Sequence, residues 1–276
     1  MSRVEPGRRV ADGEPSLPPP VVGHRAAGRW GSPRSGAAES GGGRAQPPVP
    51  GARTPALTRH RYGTAALVAF GLAAAGDLAA LALGADLGHT ILKPLLMPLL
   101  AAYVVLRQGP PLLTAALLFG WGGDVLLLGE GDLVFLAGMG SFALGHLCYL
   151  ALFRRNGEGH GTARGTFIVA TYACALIITV ALLWPDLPPD MRIPVAGYSL
   201  LLTAMAFGAT TLGLTAAAGG GLFLLSDTLI ATDVADWAQA PRPDFWIMLT
   251  YLAAQILLTT GVRTGTLTSE SAPARP

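Results

Sequence analysis

Residues 132–153 read DLVFLAGMGSFALGHLCYLALF. One aspartate opens the stretch and one histidine, His146, interrupts it; the remaining side chains are apolar or small. Its length matches the roughly 20 residues a helix needs to cross a hydrocarbon core. On either side, apolar segments of similar length recur between short polar or Pro/Gly breaks, at about 62–83, 90–106, 111–128, 132–153, 166–184, 193–213, 217–235 and 245–262. The expected fold is therefore all-α, a polytopic helical membrane protein of about eight transmembrane helices. The second and third segments join through Gly109-Pro110-Pro111, and the seventh opens at Gly219-Gly220-Gly221. A count of seven would follow if the sixth and seventh formed one broken helix.

Composition excludes an ordinary soluble domain. Apolar residues make up 51% of the chain and charged residues 13%, against about 25% charged in a typical soluble fold. The net charge of +2 gives no reason to expect a nucleic-acid partner. Cys148 and Cys174 lie in separate apolar segments and read as small core residues, without a disulfide framework. Residues 1–58 are rich in Pro, Gly, Ala, Ser and Arg, including Pro18-Pro19-Pro20 and Gly41-Gly42-Gly43. Such a segment cannot bury a core and is expected to be disordered. It carries no apolar stretch of the signal-peptide kind, so the first span is expected to direct insertion. The expected organisation is a tail (1–58), a transmembrane domain (59–265) and a disordered C-terminus (266–276).

Arginines set the expected orientation. Arg59, Arg61, Arg107, Arg154, Arg155, Arg164 and Arg263 fall at one set of span ends. The opposite loops carry Asp86, Glu130, Asp132, Asp186, Asp190, Asp236 and Asp244, with Arg192 and Arg242 as their cations. Both termini are thus expected in the cytoplasm. The Ala, Gly, Arg and Pro bias points to a high-GC bacterial source and a bacterial cell membrane.

A charge at the centre of a span costs roughly 2.5–3.5 kcal/mol on insertion scales, so ionisable groups there are functional candidates. The spans hold Asp77, Lys93, Asp124, His146 and Asp227, and Lys93 is the only lysine in the chain. The spacing places Lys93, Asp77 and Asp124 toward the acidic-loop side and Asp227 near mid-membrane. An ion pair from Lys93 that fixes helix register suffices for Asp77. One lysine cannot neutralise three carboxylates, so Asp124 and Asp227 are the stronger functional candidates. Small and aromatic residues share their helix faces: Gly120, Gly123 and Asp124; Phe142, His146 and Tyr149 beside Gly138 and Gly145; Gly220, Phe223 and Asp227 with Ser226 alongside; Tyr251 and Gln255 one turn apart. Tyr198 and Met205 read as core.

Two carboxyl groups in a low-dielectric cavity can divide their labour. One keeps its proton at neutral pH and acts as a general acid, while a nearby cation holds the other ionised. That is the logic of acid-catalysed acetal and enol-ether cleavage through an oxocarbenium ion. A zinc hydrolase fits less well, because only His89 and His146 lie in or near the spans and no HExxH pair occurs. A Ser141 or Ser226 hydrolase lacks the Gly-x-Ser-x-Gly elbow.

The motifs resemble the YhhN/TMEM86 (lysoplasmalogenase) family over about residues 62–262. The resemblance rests on Lys93-Pro94-Leu95, Gly123-Asp124-Val125-Leu126-Leu127, and Phe135, Gly138, Phe142, Gly145-His146 and Tyr149. It continues through Pro194 and Tyr198, the run from Gly221 to Ala231 with Ser226-Asp227, Thr250-Tyr251 and Ala254-Gln255. It implies eight spans and an ether-bond hydrolase that releases a fatty aldehyde from the vinyl ether of a lysoplasmalogen, with neither metal nor cofactor. Asp124 and Asp227 would be the catalytic pair, and Lys93, His146, Tyr149, Ser226, Tyr251, Gln255 and Asp77 would line the site. The expected partners are a lysophospholipid substrate and the bilayer; the oligomeric state is left open. The competing readings are a small-solute or lipid transporter with an Asp/Lys proton relay, and a hydrolase of another lysolipid bond.

Overall fold

A computed structural model describes residues 54–157 and 159–271, with side chains for 58–157 and 159–264. The expected N-terminal tail thus lies outside the described residues, save for its last few positions. Eight helices and no strand occur among the described residues: α1 Thr54–Leu83, α2 Asp86–Leu106, α3 Pro111–Leu126, α4 Asp132–Asn156, α5 Thr162–Leu183, α6 Arg192–Ala209, α7 Leu214–Val234 and α8 Pro243–Ser271. Helix α8 runs past the expected domain end at 265, so only 272–276 of the expected disordered C-terminus lie outside the described residues. Seven helices are long and apolar enough to cross a membrane; α3 is not. Its 16 residues span about 24 Å at 1.5 Å per residue, short of a core about 30 Å thick.

The sixth and seventh segments form two helices, not one broken span. A 3₁₀ turn over Thr210–Leu212 leads to Gly213, whose φ of 101° belongs to the region that favours glycine, and α7 then folds back on α6. Gly220 on α7 meets Ala206 and Ala209 on α6, and a Cβ there would stand 2.9 Å from the Ala206 Cα. Gly219 and Gly261 give α7 and α8 an equally close crossing, against Leu258 and Ala216. Small residues at both crossings supply the close van der Waals packing that holds helices together where lipid tails are as apolar as leucine.

Contacts between loops show that the helices alternate in direction. At one face Arg107 Nη2 donates to Thr64 Oγ1 (3.2 Å), Arg263 donates to the Tyr103 hydroxyl, and His160 Nε2 lies 2.8 Å from Thr210 Oγ1. At the other, Trp237 Nε1 donates to Asp186 (2.8 Å) and Arg242 reaches the Leu81 carbonyl (3.5 Å). We refer to these as the arginine face and the acidic face. The main apolar core joins α1–α4 and α6–α8, with Leu96, Met97, Leu100, Leu113, Leu117 and Leu258 fully buried. Helix α5 stands apart, buried only at Leu183, with Phe167, Ile177, Ile178 and Leu182 facing outward. Apolar side chains exposed along a helix of this length suit contact with lipid tails.

Candidate active site

Asp124 lies thirteen residues into α3 (111 to 124), and Asp227 lies thirteen residues into α7 (214 to 227). Both helices start at the arginine face, so both carboxylates sit about 20 Å along their axes. From sequence, Asp124 falls near a span end and Asp227 at mid-membrane. Helix α3 ends two residues past Asp124, so that carboxylate does lie near the acidic-face end of its helix, whereas α7 continues seven residues past Asp227.

Each carboxylate accepts a hydrogen bond from a tyrosine. Tyr251 on α8 donates to Asp124 Oδ2 at 2.8 Å, with both side chains buried. Tyr198 on α6 donates to Asp227 Oδ2 through a short bond. Tyr198 reads as core in the sequence, and its true place is a finding of the structure. The signal available was its hydroxyl, since a buried tyrosine normally finds a polar partner. His146 Nε2 lies 3.0 Å from the same hydroxyl. Tyr198 gives its one proton to Asp227, so Nε2 carries the imidazole proton and donates to Tyr198. His146 Nδ1 is buried with no partner, which fits the bare acceptor of a neutral imidazole rather than an orphaned donor.

Phe142, Phe223 and Tyr251 pack edge to face between the two couples, with centroids 5.5–6.4 Å apart. Phe223 also meets the His146 ring at 4.8 Å. Gly123 and Gly120 make room for this cluster. Gly123 packs on the Phe142 ring, and Gly120 faces the Tyr251 hydroxyl and the Gln255 amide. Tyr149 donates to Gln255 Oε1 at 2.8 Å, one turn along α8 from Tyr251. The four faces read from helical spacing therefore converge.

Lys93 and Asp77 depart from expectation. Asp77 is fully buried and its partner is His89, whose Nδ1 lies 2.8 Å from Oδ1; Lys93 makes no ion pair with it. Lys93, together with Asp77 and His89, acts electrostatically on Asp124. The Trp121 indole donates to the Pro94 carbonyl at 2.9 Å and ties the Lys93 turn of α2 to the turn of α3 that carries Asp124. Ser226 donates to the Ile247 carbonyl at 3.0 Å, which commits its proton to α8.

A groove of about 820 Å³, counting its open mouth, runs between α4, α5, α6 and α7. Asp227 and Tyr198 lie in its wall with Phe142; its remaining length is mostly apolar, through Phe135, Met139, Leu176 and Ile230. Thr203 also lines it, and its Oγ1 is buried without a partner. Asp124 does not line the groove. Leu127, one turn on, does, and a cluster of Leu183, Leu187, Met191, Val195 and Ala235 closes the acidic-face end.

Eight helices, seven of them long and apolar enough to cross a membrane, that gather two tyrosine-bonded carboxylates beside an apolar groove define an integral membrane protein with an intramembrane polar site. Residues 88–262 match the YhhN family, and the chain belongs to it. It is 36% identical over 150 residues to human lysoplasmalogenase TMEM86B, an alignment covering 54% of this chain and 62% of that protein. The rat TMEM86B lysoplasmalogenase is 35% identical over 126 residues, covering 45% of this chain and 51% of that one. A lysoplasmalogenase of Mycobacterium tuberculosis is 30% identical over 192 residues, covering 63% and 71%. The chain thus spans less than two thirds of the length of the mammalian relatives. No solved structure matches it.

Proposed function

We propose that this chain is an integral-membrane hydrolase that cleaves the vinyl ether bond of a lysoplasmalogen, giving a fatty aldehyde and a glycerophospho-base. The observation that carries the reading is the pair of tyrosine-bonded carboxylates, one of them in the wall of an apolar groove. Enol-ether hydrolysis needs a proton delivered to carbon and a water delivered to the adjacent oxocarbenium carbon, which two carboxyl groups can supply. The groove suits the single hydrocarbon chain of a lysolipid. The lysoplasmalogenase names of the relatives point to the same bond. Lys93, His146, Tyr149, Ser226, Tyr251, Gln255 and Asp77 complete or support the site. The arginine face is assigned to the cytoplasm of a bacterial cell, with both termini on that side.

The test offers lysoplasmenylethanolamine, its saturated-ether analogue and its acyl analogue to purified protein in detergent, with Asp124→Asn as control. Aldehyde released from the vinyl ether alone, and lost in the variant, is the expected result. Acyl cleavage would move the reading to another bond, and no turnover of any lipid would refute hydrolysis.

A further inference from the structure

We propose that the groove is loaded sideways from the bilayer, through a slot between α4 and α5 that admits the single hydrocarbon chain of a membrane lipid. The route rests on the hydrolase reading above for the identity of that lipid, a lysolipid, and adds to it the place of entry.

Both ends of the groove are shut. At the acidic face the cluster around Leu187 and Met191 packs against Phe135 and Met139 of α4 and Val234 of α7. Arg192 holds the α5–α6 turn there, donating from Nε to the Leu187 carbonyl (3.1 Å) and from Nη2 to the Pro185 carbonyl (3.2 Å). Its guanidinium also lies 5.9 Å from the centre of the Trp184 ring at the end of α5. Toward the arginine face, Phe207 of α6 meets Tyr172 of α5 edge to face at 6.3 Å and the His160 ring at 6.0 Å, and His160 in turn is held by Thr210. Helix α5 is thus fastened to α6 at both ends, and neither membrane surface gives a direct way into the groove.

The sides differ from one another. Helices α4 and α6 are joined by the His146–Tyr198 contact, and α6 and α7 by the Tyr198–Asp227 bond and the crossing of Gly220 on Ala206. Helix α5 packs on α6 and more lightly on α7; among the described residues it scarcely touches α4, its neighbour in sequence. Yet both α4 and α5 line the groove, through Phe135, Met139 and Phe142 on one and Ala175, Leu176 and Thr179 on the other. Two helices that face a common cavity without packing on each other leave a slot between them. Ala175 marks its edge, because it lines the groove and is also exposed. The slot opens on hydrocarbon: α5 is the most apolar of the seven long helices and turns Ile177, Ile178 and Leu182 outward beside it. A lipid chain that passes through stays in apolar surroundings throughout and reaches Asp227 and Tyr198 in the wall. Entry from either aqueous face would instead have to part packed apolar side chains and expose them to water.

The experiment places a nitroxide on Ala175→Cys in the full chain, with Cys148→Ala and Cys174→Ala removing the native thiols, in vesicles of phosphatidylethanolamine and phosphatidylglycerol. The ligand is the saturated-ether lysolipid, which has no vinyl ether to cleave, so the result does not depend on turnover. Oxygen, which dissolves in hydrocarbon, should collide with the label far more often than a water-soluble nickel chelate does. Added lysolipid should lower the oxygen collision rate at Ala175→Cys and leave it unchanged at Ile178→Cys, an outward position on the same helix that does not line the groove. Nickel collisions in excess would place the mouth in water and overturn the slot. So would an oxygen rate that lysolipid leaves unmoved at Ala175→Cys, or moves equally at both positions. Thr179→Cys, one turn on along the same edge, carries the same measurement if the first label plugs the mouth. In the unlabelled protein, Ala175→Trp should slow cleavage of vinyl ether supplied in vesicles and Ile178→Trp should not; equal rates in the two variants overturn the route. Absence of vinyl-ether cleavage by the wild-type protein, with lysolipid still shielding Ala175→Cys, overturns the hydrolase reading and leaves the slot standing.

Discussion

Gly123→Ala tests whether the aromatic cluster holds the site together. Alanine in place of a helical glycine stabilises a helix by about 1 kcal/mol when nothing else changes. Here a Cβ would stand 2.8 Å from Phe142 Cγ and closer still to the ring edge, a separation real Cβ atoms do not show. The Phe142 ring cannot swing aside easily, because it packs edge-on against Phe223 at 6.4 Å and Tyr251 at 6.0 Å between centroids. The overpacking cost should therefore lie in the upper part of the usual range of about 1–3 kcal/mol. Net destabilisation of about 1–2 kcal/mol follows once the propensity gain is subtracted. Gly140→Ala is the control, since that glycine is exposed on the next helix and an added methyl group would meet nothing within 4 Å. Thermal unfolding in one detergent should show Gly123→Ala melting several degrees below wild type, by the usual conversion for a domain of this size, and Gly140→Ala level with it or above. Vinyl-ether cleavage should fall in the first and persist in the second. A Gly123→Ala protein as stable and active as Gly140→Ala would refute the claim that Phe142 is locked.

Two further outcomes follow from the α1–α2–α3 side of the site. His89→Ala strands the buried Asp77 carboxylate and should destabilise by about 3–5 kcal/mol, as the loss of one partner of a buried pair does; adding Asp77→Asn should restore most of it, and additive losses in the thermal double-mutant cycle would show that the pair is not coupled. Trp121→Phe leaves the Pro94 carbonyl without its indole donor and should cost about 1 kcal/mol in stability. It should also lower kcat through Lys93, and unchanged turnover would remove the clamp from the argument.

The fold is legible in the sequence because span length is a physical constraint. Apolar runs of the required length, ended by Pro, Gly or charge, locate all eight helices to within several residues. The faces also transfer, because helical spacing fixes which side chains point together: Phe142, His146 and Tyr149 are all buried on α4, and Tyr251 and Gln255 on α8. Partner identity is not legible. Pairing Lys93 with Asp77 uses charge alone, whereas His89 lies on the first turns of α2, directly across the tight α1–α2 turn from Asp77. Tyr198 reads as core because an aromatic residue in a span is ambiguous until the helix opposite it is known. The length of α3 escapes the sequence, because its apolar run reads there as a full span.

That short helix bears on how water and lipid are kept apart. Helix α3 ends at Leu126, two residues past Asp124, and residues 129–133 are already exposed. The acidic-face surface therefore comes within about one to two turns of Asp124. Asp227 has two more turns of α7 above it, through Ile230, Ala231 and Val234, and then the apolar closure around Leu187 and Met191. The two carboxylates thus have different surroundings: Asp124 is buried against Tyr251, and Asp227 is partly exposed in the wall of the apolar groove. A full-length α3 would have placed the same aspartate farther from the acidic face. The shortness of α3 thus sets how few residues separate Asp124 from the acidic face, while the continuation of α7 past Asp227 carries the groove wall on to Val234.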